Sequence, residues 1–261
     1  MNNNPSAYRF HRPILWDTGD DEYRYIPGGT ANIVRLCGLD FILTARHCLE
    51  SHDKPKKYYP LEGAKIPFRL NSEAFCLIGK GATPSPKDPE EEDTALCDIR
   101  IHLLGGPSCS VPPLKMGEYL ELHSFEPSSY LLPRYLSGFP KQEQWQDYER
   151  GELGGTGLTI GGFDGGPTND SGCRFFRSES LREMDPNGFS GGLVTSNIPG
   201  NLQLEGICVQ GGANLDFIRF ISVEVIQDLF RLAWPQLLPH GIPSIMPAPS
   251  GSPEKRPGSF G

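Results

Sequence analysis

Two short stretches carry side chains that could do acyl-transfer chemistry. Ser190 lies in Asn187-Gly188-Phe189-Ser190-Gly191-Gly192, and His47 lies in Leu43-Thr44-Ala45-Arg46-His47-Cys48. A serine hydroxyl is a poor nucleophile at neutral pH, so chemistry at Ser190 requires a base to take its proton and fixed donors for the oxyanion that forms. Gly188 permits a backbone conformation closed to residues with a Cβ, and a tight turn there would aim the amides of Gly188 and Ser190 at one point. On its own a Gly-x-Ser-x-Gly string is a weak signal in a chain with 31 glycines. His47 follows an apolar stretch, residues 40–45, that reads as a buried strand running into a turn, a place from which a side chain reaches a cleft. A histidine alone in that setting is more often a satisfied core residue. The third requirement is a carboxylate that holds the imidazole in one tautomer. Asp98 opens the alternating run Asp98-Ile99-Arg100-Ile101-His102-Leu103-Leu104, and its rivals Asp93 and Asp88 sit in a polar loop.

The chain order His47, Asp98, Ser190 resembles that of the trypsin-like (chymotrypsin-fold) serine peptidases, over about residues 20–235. Gly29-Thr30-Ala31 and residues 43–48 are similar to the segment leading to the family's histidine, and Asp98-Ile99 to its aspartate. Gly188-Phe189-Ser190-Gly191-Gly192 resembles its nucleophile loop, and Glu205-Gly206-Ile207-Cys208-Val209-Gln210-Gly211 the strand that pairs with the substrate backbone. The resemblance implies an all-β fold of two packed six-stranded antiparallel β-barrels with a C-terminal helix. It implies serine endopeptidase activity on a peptide or protein substrate, with no cofactor and no metal: Ser190 as nucleophile, His47 as base, Asp98 as its orienting group, and the Gly188 and Ser190 amides as oxyanion hole. Counting back from the nucleophile, it puts Met184 at the base of the primary pocket with Asp185 beside it. Val209, Gln210 and Gly211 would form one wall and residues 217–220 the other. Met184 favours an apolar substrate side chain of moderate size, whereas an inward Asp185 would favour Lys or Arg; Asp185 is expected to face water unless a basic substrate residue meets it, because desolvating an unpaired carboxylate is costly.

Two departures from the family agree with each other. Phe189 stands where trypsin-like zymogens carry an aspartate that pairs with the freed amino terminus, and Tyr25-Ile26-Pro27-Gly28 is unlike the terminus such activation releases. The expectation is an oxyanion loop that forms without proteolytic activation, as in intracellular bacterial relatives, with control by a regulatory protein partner, narrow specificity or substrate conformation. A catalytically silent or partner-gated binding or sensor module is the alternative. An esterase-type α/β-hydrolase would use the same glycine-flanked serine, but that fold orders Ser, acid, His. The one histidine after Ser190 is His240, in a proline-rich tail. Arg46, beside the base, is expected to point outward, since an inward cation would lower the imidazole's proton affinity.

The elements that must position these groups follow from composition. With 31 glycines and 25 prolines in 261 residues and little helical periodicity, the chain reads as short strands joined by turns. Residues 1–19 form a polar lead laid on the domain through Tyr8, Phe10 and Trp16. Residues 20–113 form the first β-barrel, carrying His47 and Asp98, with strands over 30–36, 41–44, 68–70, 74–78 and 95–103. Residues 114–235 form the second, carrying Ser190, with residues 161–172 as a long surface loop and a closing helix over 223–234. That helix puts Ile226, Leu229, Phe230 and Ala233 on one face, and Pro235 is expected to stop it. Residues 236–261 read as a flexible proline-rich tail. The acidic run at 88–93 lacks the ligand spacing of a calcium loop and reads as solvated. A net charge of −8 without a basic stripe argues against nucleic acid, and no run of 18 apolar residues argues against a membrane span. Seven cysteines cannot all pair within the chain, and the first 16 residues lack the apolar core of a signal peptide; a cytoplasmic protein with free thiols is expected. The resemblance further implies that Cys48 is unpaired, with Pro27 in the neighbourhood of its usual partner.

Overall fold

The alternation of apolar and polar residues resolves into two antiparallel β units. The computed structural model describes residues 10–17, 20, 25–49, 56–59, 68–69, 77–78, 99–104, 114–123, 125, 127–128, 131–147, 152–198, 201–212 and 214–237. The first unit contains β1 (His11–Asp17), β2 (Tyr25–Leu36), β3 (Leu39–Ala45), β4 (Lys56–Tyr59), β5 (Phe68–Arg69), β6 (Leu77–Ile78), β7 (Ile99–Leu103) and β8 (Leu120–Glu121). They form one sheet in the order β5-β4-β1-β2-β3-β7-β6, with β8 parallel to β2. Among the described residues this is an eight-stranded sheet, where six strands in a closed barrel were expected. Part of the difference is β1: the segment read as a polar lead pairs along β2, with His11 opposite Asn32, and buries Phe10, Ile14 and Leu15. Cys37 (φ 53°) and Gly38 (φ 79°) make the two-residue turn between β2 and β3, a left-handed pair whose twist matches that of the strands it joins.

The second unit is the expected barrel. Its strands are β9 (Arg134–Gly138), β12 (Leu158–Pro167), β13 (Cys173–Arg177), β14 (Leu193–Ile198), β15 (Asn201–Gly211) and β16 (Phe217–Ser222), closed in the order β12-β13-β16-β15-β14-β9. A separate hairpin, β10 (Gln144–Asp147) with β11 (Glu152–Gly155), lies between β9 and β12. Strand β12 replaces most of the surface loop read over 161–172. Two of its glycines, Gly162 and Gly165, serve close packing: a Cβ on Gly162 would overlap the Arg177 carbonyl oxygen and come 2.6 Å from the Phe176 ring.

One apolar cluster crosses between the units. Ile33, Phe41, Leu43 and Ile101 of the first pack with Leu193, Ile207 and Ile221 of the second and with the terminal helix. That helix, α1 (Val223–Leu237), buries Ile226, Leu229, Phe230 and Trp234, and Phe230 meets Phe41 edge-on at 5.1 Å. It runs two residues past Pro235, which lies so near the end that little helix follows it. Among the described residues no helix is long and apolar enough to cross a membrane.

A buried ion pair ties the chain entering the barrel to its wall. Arg134 and Glu205 are 1% and 3% exposed and 3.4 Å apart. Ser196 donates to Glu205 Oε1 at 2.6 Å, the Ser128 amide donates to the same carboxylate at 3.2 Å, and Arg134 donates to Ser128 Oγ at 2.7 Å. Removing one member strands a desolvated charge, so Glu205→Ala should lower unfolding free energy by about 3–5 kcal/mol in chemical denaturation. The apolar double replacement Arg134→Met with Glu205→Leu should cost much less.

His11 is a second buried polar group. Burial, against a hydrogen bond to Asn32 that acts the other way and with the added repulsion of Arg12, lowers its pKa from 6.5 to about 4. The unfolded chain therefore binds a proton that the folded one refuses, and stability contributed by this group is present above pH 6.5 and lost as pH falls toward 4. The window corresponds to about 3 kcal/mol. The difference in unfolding free energy between pH 7 and pH 4 should shrink by that order in His11→Asn, which carries no titrating ring.

Candidate active site

The nucleophile segment is shaped by two left-handed glycines. Gly188 has φ 97°, and a Cβ there would overlap the Phe139 carbonyl and come 2.7 Å from the Lys141 nitrogen. Gly191 has φ 84°, and a Cβ there would overlap the carbonyl oxygen of Thr30 and meet Thr44 Oγ1 at 2.5 Å. Between them Phe189 is fully buried among Leu136, Ile160, Phe176, Leu181 and Val194. Ser190 is half-buried.

The first sheet grips this segment by its carbonyls. Thr30 of β2 donates its amide to Ser190 O at 2.8 Å and its hydroxyl to Gly188 O at 2.8 Å, while the same hydroxyl accepts from the Phe139 amide at 2.9 Å. Asn32 of β2 donates Nδ2 to Gly191 O at 2.5 Å, and the Cys48 thiol donates to Ser190 O at 3.3 Å. The neighbouring peptides are fixed as well: Lys141 N donates to Asn187 O at 2.6 Å and Gly192 N to Phe189 O at 2.7 Å. In a trans peptide the N–H points opposite to the C=O of the same unit. Holding Asn187 O and Phe189 O therefore fixes where the amides of Gly188 and Ser190 point. Those two amides make no hydrogen bond among the described residues, whereas Asn187, Phe189, Gly191 and Gly192 all donate theirs within the protein. Two oriented, unspent donors, one the serine's own amide and one two residues before it, are a site able to stabilise an oxyanion.

His47 sits in a 3-10 turn, Arg46–Cys48, at the end of β3. The turn sends successive side chains to different sides: Cys48 is fully buried against Ser190 O, His47 is exposed, and Arg46 is half-exposed. The residue next to His47 thus touches the residue chosen as nucleophile. The Ser190 hydroxyl itself makes no hydrogen bond among the described residues, and the contact between the two segments runs through Cys48 and the Ser190 carbonyl. Asp98, with its rivals Asp93 and Asp88, lies outside the described residues; Ile99, which follows it, pairs with Ala45, two residues before His47. The acidic run, His240 and the tail also lie outside them.

Met184 follows a 3-10 turn, Glu179–Glu183, and packs against the barrel's apolar cluster. Asp185 is partly exposed and accepts the Asn187 amide at 2.9 Å, a local turn contact in place of a pocket charge. Val209 is buried, and Gln210 and Gly211 are exposed at the end of β15. Pro186, just past the expected pocket base, packs against the expected wall at Gly211, where an added Cβ would come 2.9 Å from Pro186 Cβ. A cleft of about 400 Å³ is lined by Gln210, Gly211, Phe217 and Arg219, from both expected walls, together with Asp170 and Phe175 among others. Arg219 pairs with Asp170, and Phe175 meets Phe217 edge-on at 5.0 Å.

The four described cysteines, Cys37, Cys48, Cys173 and Cys208, are free. Burial pushes the Cys48 thiol up to about 12 and raises that of Cys208 further, so both are inert thiols at neutral pH. The position facing Cys48 is Gly29, whose Cβ would come 2.5 Å from the sulfur, and not Pro27. Sequence reasoning passed over Thr30, Asn32 and His11. The usable signal was Asn32 in the apolar run Ala31-Asn32-Ile33-Val34, because a polar side chain buried in a strand must find partners. Glycine substitutions separate steric from conformational demand. Gly38→Ala, with φ 79° but nothing within 4 Å of the added carbon, should cost about 1–2 kcal/mol. Gly191→Ala, which also strikes backbone, should cost considerably more and shift the melting temperature well beyond the Gly38 variant.

No protein-family model matches the chain, and no curated protein sequence matches it. Solved structures do share its fold. A thermostable serine protease, AL20, from an extremophilic microorganism superposes with a TM-score of 0.55 at 13% identity, covering 88% of this chain and 98% of the other. The protease Anisep from Arthrobacter nicotinovorans superposes with a TM-score of 0.54 at 14% identity, covering 87% and 96%. The closed six-stranded barrel, the second sheet and the terminal helix are the chymotrypsin-like fold that these serine proteases share with this chain.

Proposed function

We propose that this chain is a serine endopeptidase. Ser190 attacks the scissile carbonyl; His47 takes the serine proton and returns it to the leaving amine; Asp98 orients His47; the Gly188 and Ser190 amides hold the oxyanion; water then releases the acyl group. The observation that carries the reading is the pair of unspent, oriented amides, that of Gly188 and the serine's own, beside a serine whose carbonyl is held by the turn bearing a histidine. Fold likeness to serine proteases adds to it but does not by itself transfer an activity. A peptide strand laid along Val209-Gln210-Gly211 would bring residues on the amino side of the scissile bond past the cleft lined by Phe175 and Phe217. Met184 at the pocket base and the contact of Pro186 with Gly211 favour a small apolar side chain at the scissile position. Free thiols among the described cysteines support a reducing compartment, the cytoplasm.

The same Pro186–Gly211 contact favours one second reading, a module whose pocket opens when a regulatory protein partner binds. A fluorophosphonate probe separates these readings. The parent protein should be labelled at Ser190 and should cleave a peptide library, and Ser190→Ala should abolish labelling and lower turnover by several powers of ten. Labelling that appears only with an added partner supports gating. An unlabelled parent, or a Ser190→Ala variant that cleaves as fast as the parent, rejects the peptidase.

A further inference from the structure

We propose that His11 and Asn32 are positioning residues for the nucleophile loop: strand β1, acting through these two side chains, holds the peptide that sets the direction of the Ser190 amide. The inference rests on the reading of Ser190 given above and names what keeps that site assembled.

The relay is short. Asn32 Nδ2 donates to Leu43 O at 3.0 Å and to Gly191 O at 2.5 Å, which uses both of its hydrogens. Its Oδ1 lies 2.5 Å from His11 Nδ1. The opposite amide orientation would set an oxygen against two carbonyls, so the geometry assigns Nδ2 to them and makes His11 the donor to Oδ1. His11 is therefore a neutral imidazole with its proton on Nδ1. Its Nε2 is buried without a hydrogen bond. A group kept for packing alone would carry no bare nitrogen; the imidazole's distinguishing contribution here is its single donor.

From Asn32 the constraint passes through two peptide planes. Gly191 C=O and Gly192 N–H belong to one peptide unit, and Gly192 N–H donates to Phe189 O. Phe189 C=O and Ser190 N–H belong to the next unit, so the orientation of one plane fixes the other. Gly191 has no side chain and a left-handed backbone, so the direction of its carbonyl is set by backbone packing against Thr30 and by the hydrogen bond from Asn32. Loss of the Asn32 contact frees that peptide to rotate and spreads the orientations of the Ser190 amide. Substrate binding, which uses other surfaces, is left largely intact.

The test compares His11→Leu, His11→Asn and Asn32→Ala with the full-length parent. Readouts are fluorophosphonate acylation of Ser190, kcat and KM on a peptide substrate, and amide hydrogen exchange of the segment 187–193 by mass spectrometry. His11→Leu and Asn32→Ala should each slow acylation and kcat by about ten-fold or more, with KM within about two-fold, because they disturb an oxyanion donor. His11→Asn, whose amide nitrogen can reach the place of Nδ1, should restore most of the loss. Exchange at 187–193 should rise in the first two variants and return toward the parent in His11→Asn. Adding His11→Leu to Asn32→Ala should slow acylation no further, since both act on one path. Multiplying effects, or rates and exchange unchanged in Asn32→Ala, overturn the proposal while leaving the peptidase intact. If the parent neither labels nor cleaves, the peptidase reading fails, and the exchange comparison still decides whether His11 and Asn32 hold the loop. Should His11→Leu not fold, His11→Asn and Asn32→Ala carry the same comparison.

Discussion

The nucleophile loop has almost no side chains with which to hold its own shape. Four of the seven residues 186–192 are proline or glycine, so its geometry is imposed from outside, by hydrogen bonds to its carbonyls. Three of those oxygens, on Gly188, Ser190 and Gly191, are gripped by Thr30, Asn32 and Cys48 of the first unit. The site is consequently a property of the interface between the two β units. That interface cannot slide, because Ile33 and Phe41 on one side and Leu193 and Ile207 on the other share one close-packed apolar cluster, in which small displacements are costly. The Arg134–Glu205 pair fixes the chain where it enters the barrel, so the crossing segment is held by charge and the interface by packing.

What the sequence revealed and concealed divides along the same line. Features set by neighbours in the chain were legible: the glycine-flanked serine, the alternation of β2, β3 and β7, and the apolar face of α1. Features set by distant partners were not. Gly162 looked like loop composition, yet its missing Cβ is demanded by Arg177 and Phe176 on the adjacent strand. The 161–172 segment therefore became strand β12 against its composition. His11–Asp17 looked polar, but its partners are the unspent edge of β2 and the buried Asn32. Pro235 was expected to end α1 and is absorbed into its last turn, because the burial of Trp234 one residue earlier holds that turn on the sheet. At the site, residue types could be aligned with a family pattern, but the contact of Pro186 with the expected wall at Gly211 could not be read, since the two meet only through tertiary packing.

Phe189 decides what kind of control the loop admits. A buried aromatic side chain contributes about 2–3 kcal/mol from the moment the barrel closes and needs no second event. A carboxylate at that position would instead be unfavourable until a cation arrived to meet it, since an unpaired buried charge is costly. The apolar anchor thus makes the loop part of folding and removes it as a switch. With the loop constitutively formed, the variable element is the approach to it. There Gly211, free of a side chain, meets Pro186, and Gln210 and Gly211 are exposed. Opening that contact disturbs neither the carbonyl grip of Thr30 and Asn32 nor the shared core. The approach can therefore change while the Gly188 and Ser190 amides keep the directions that the loop's held carbonyls give them.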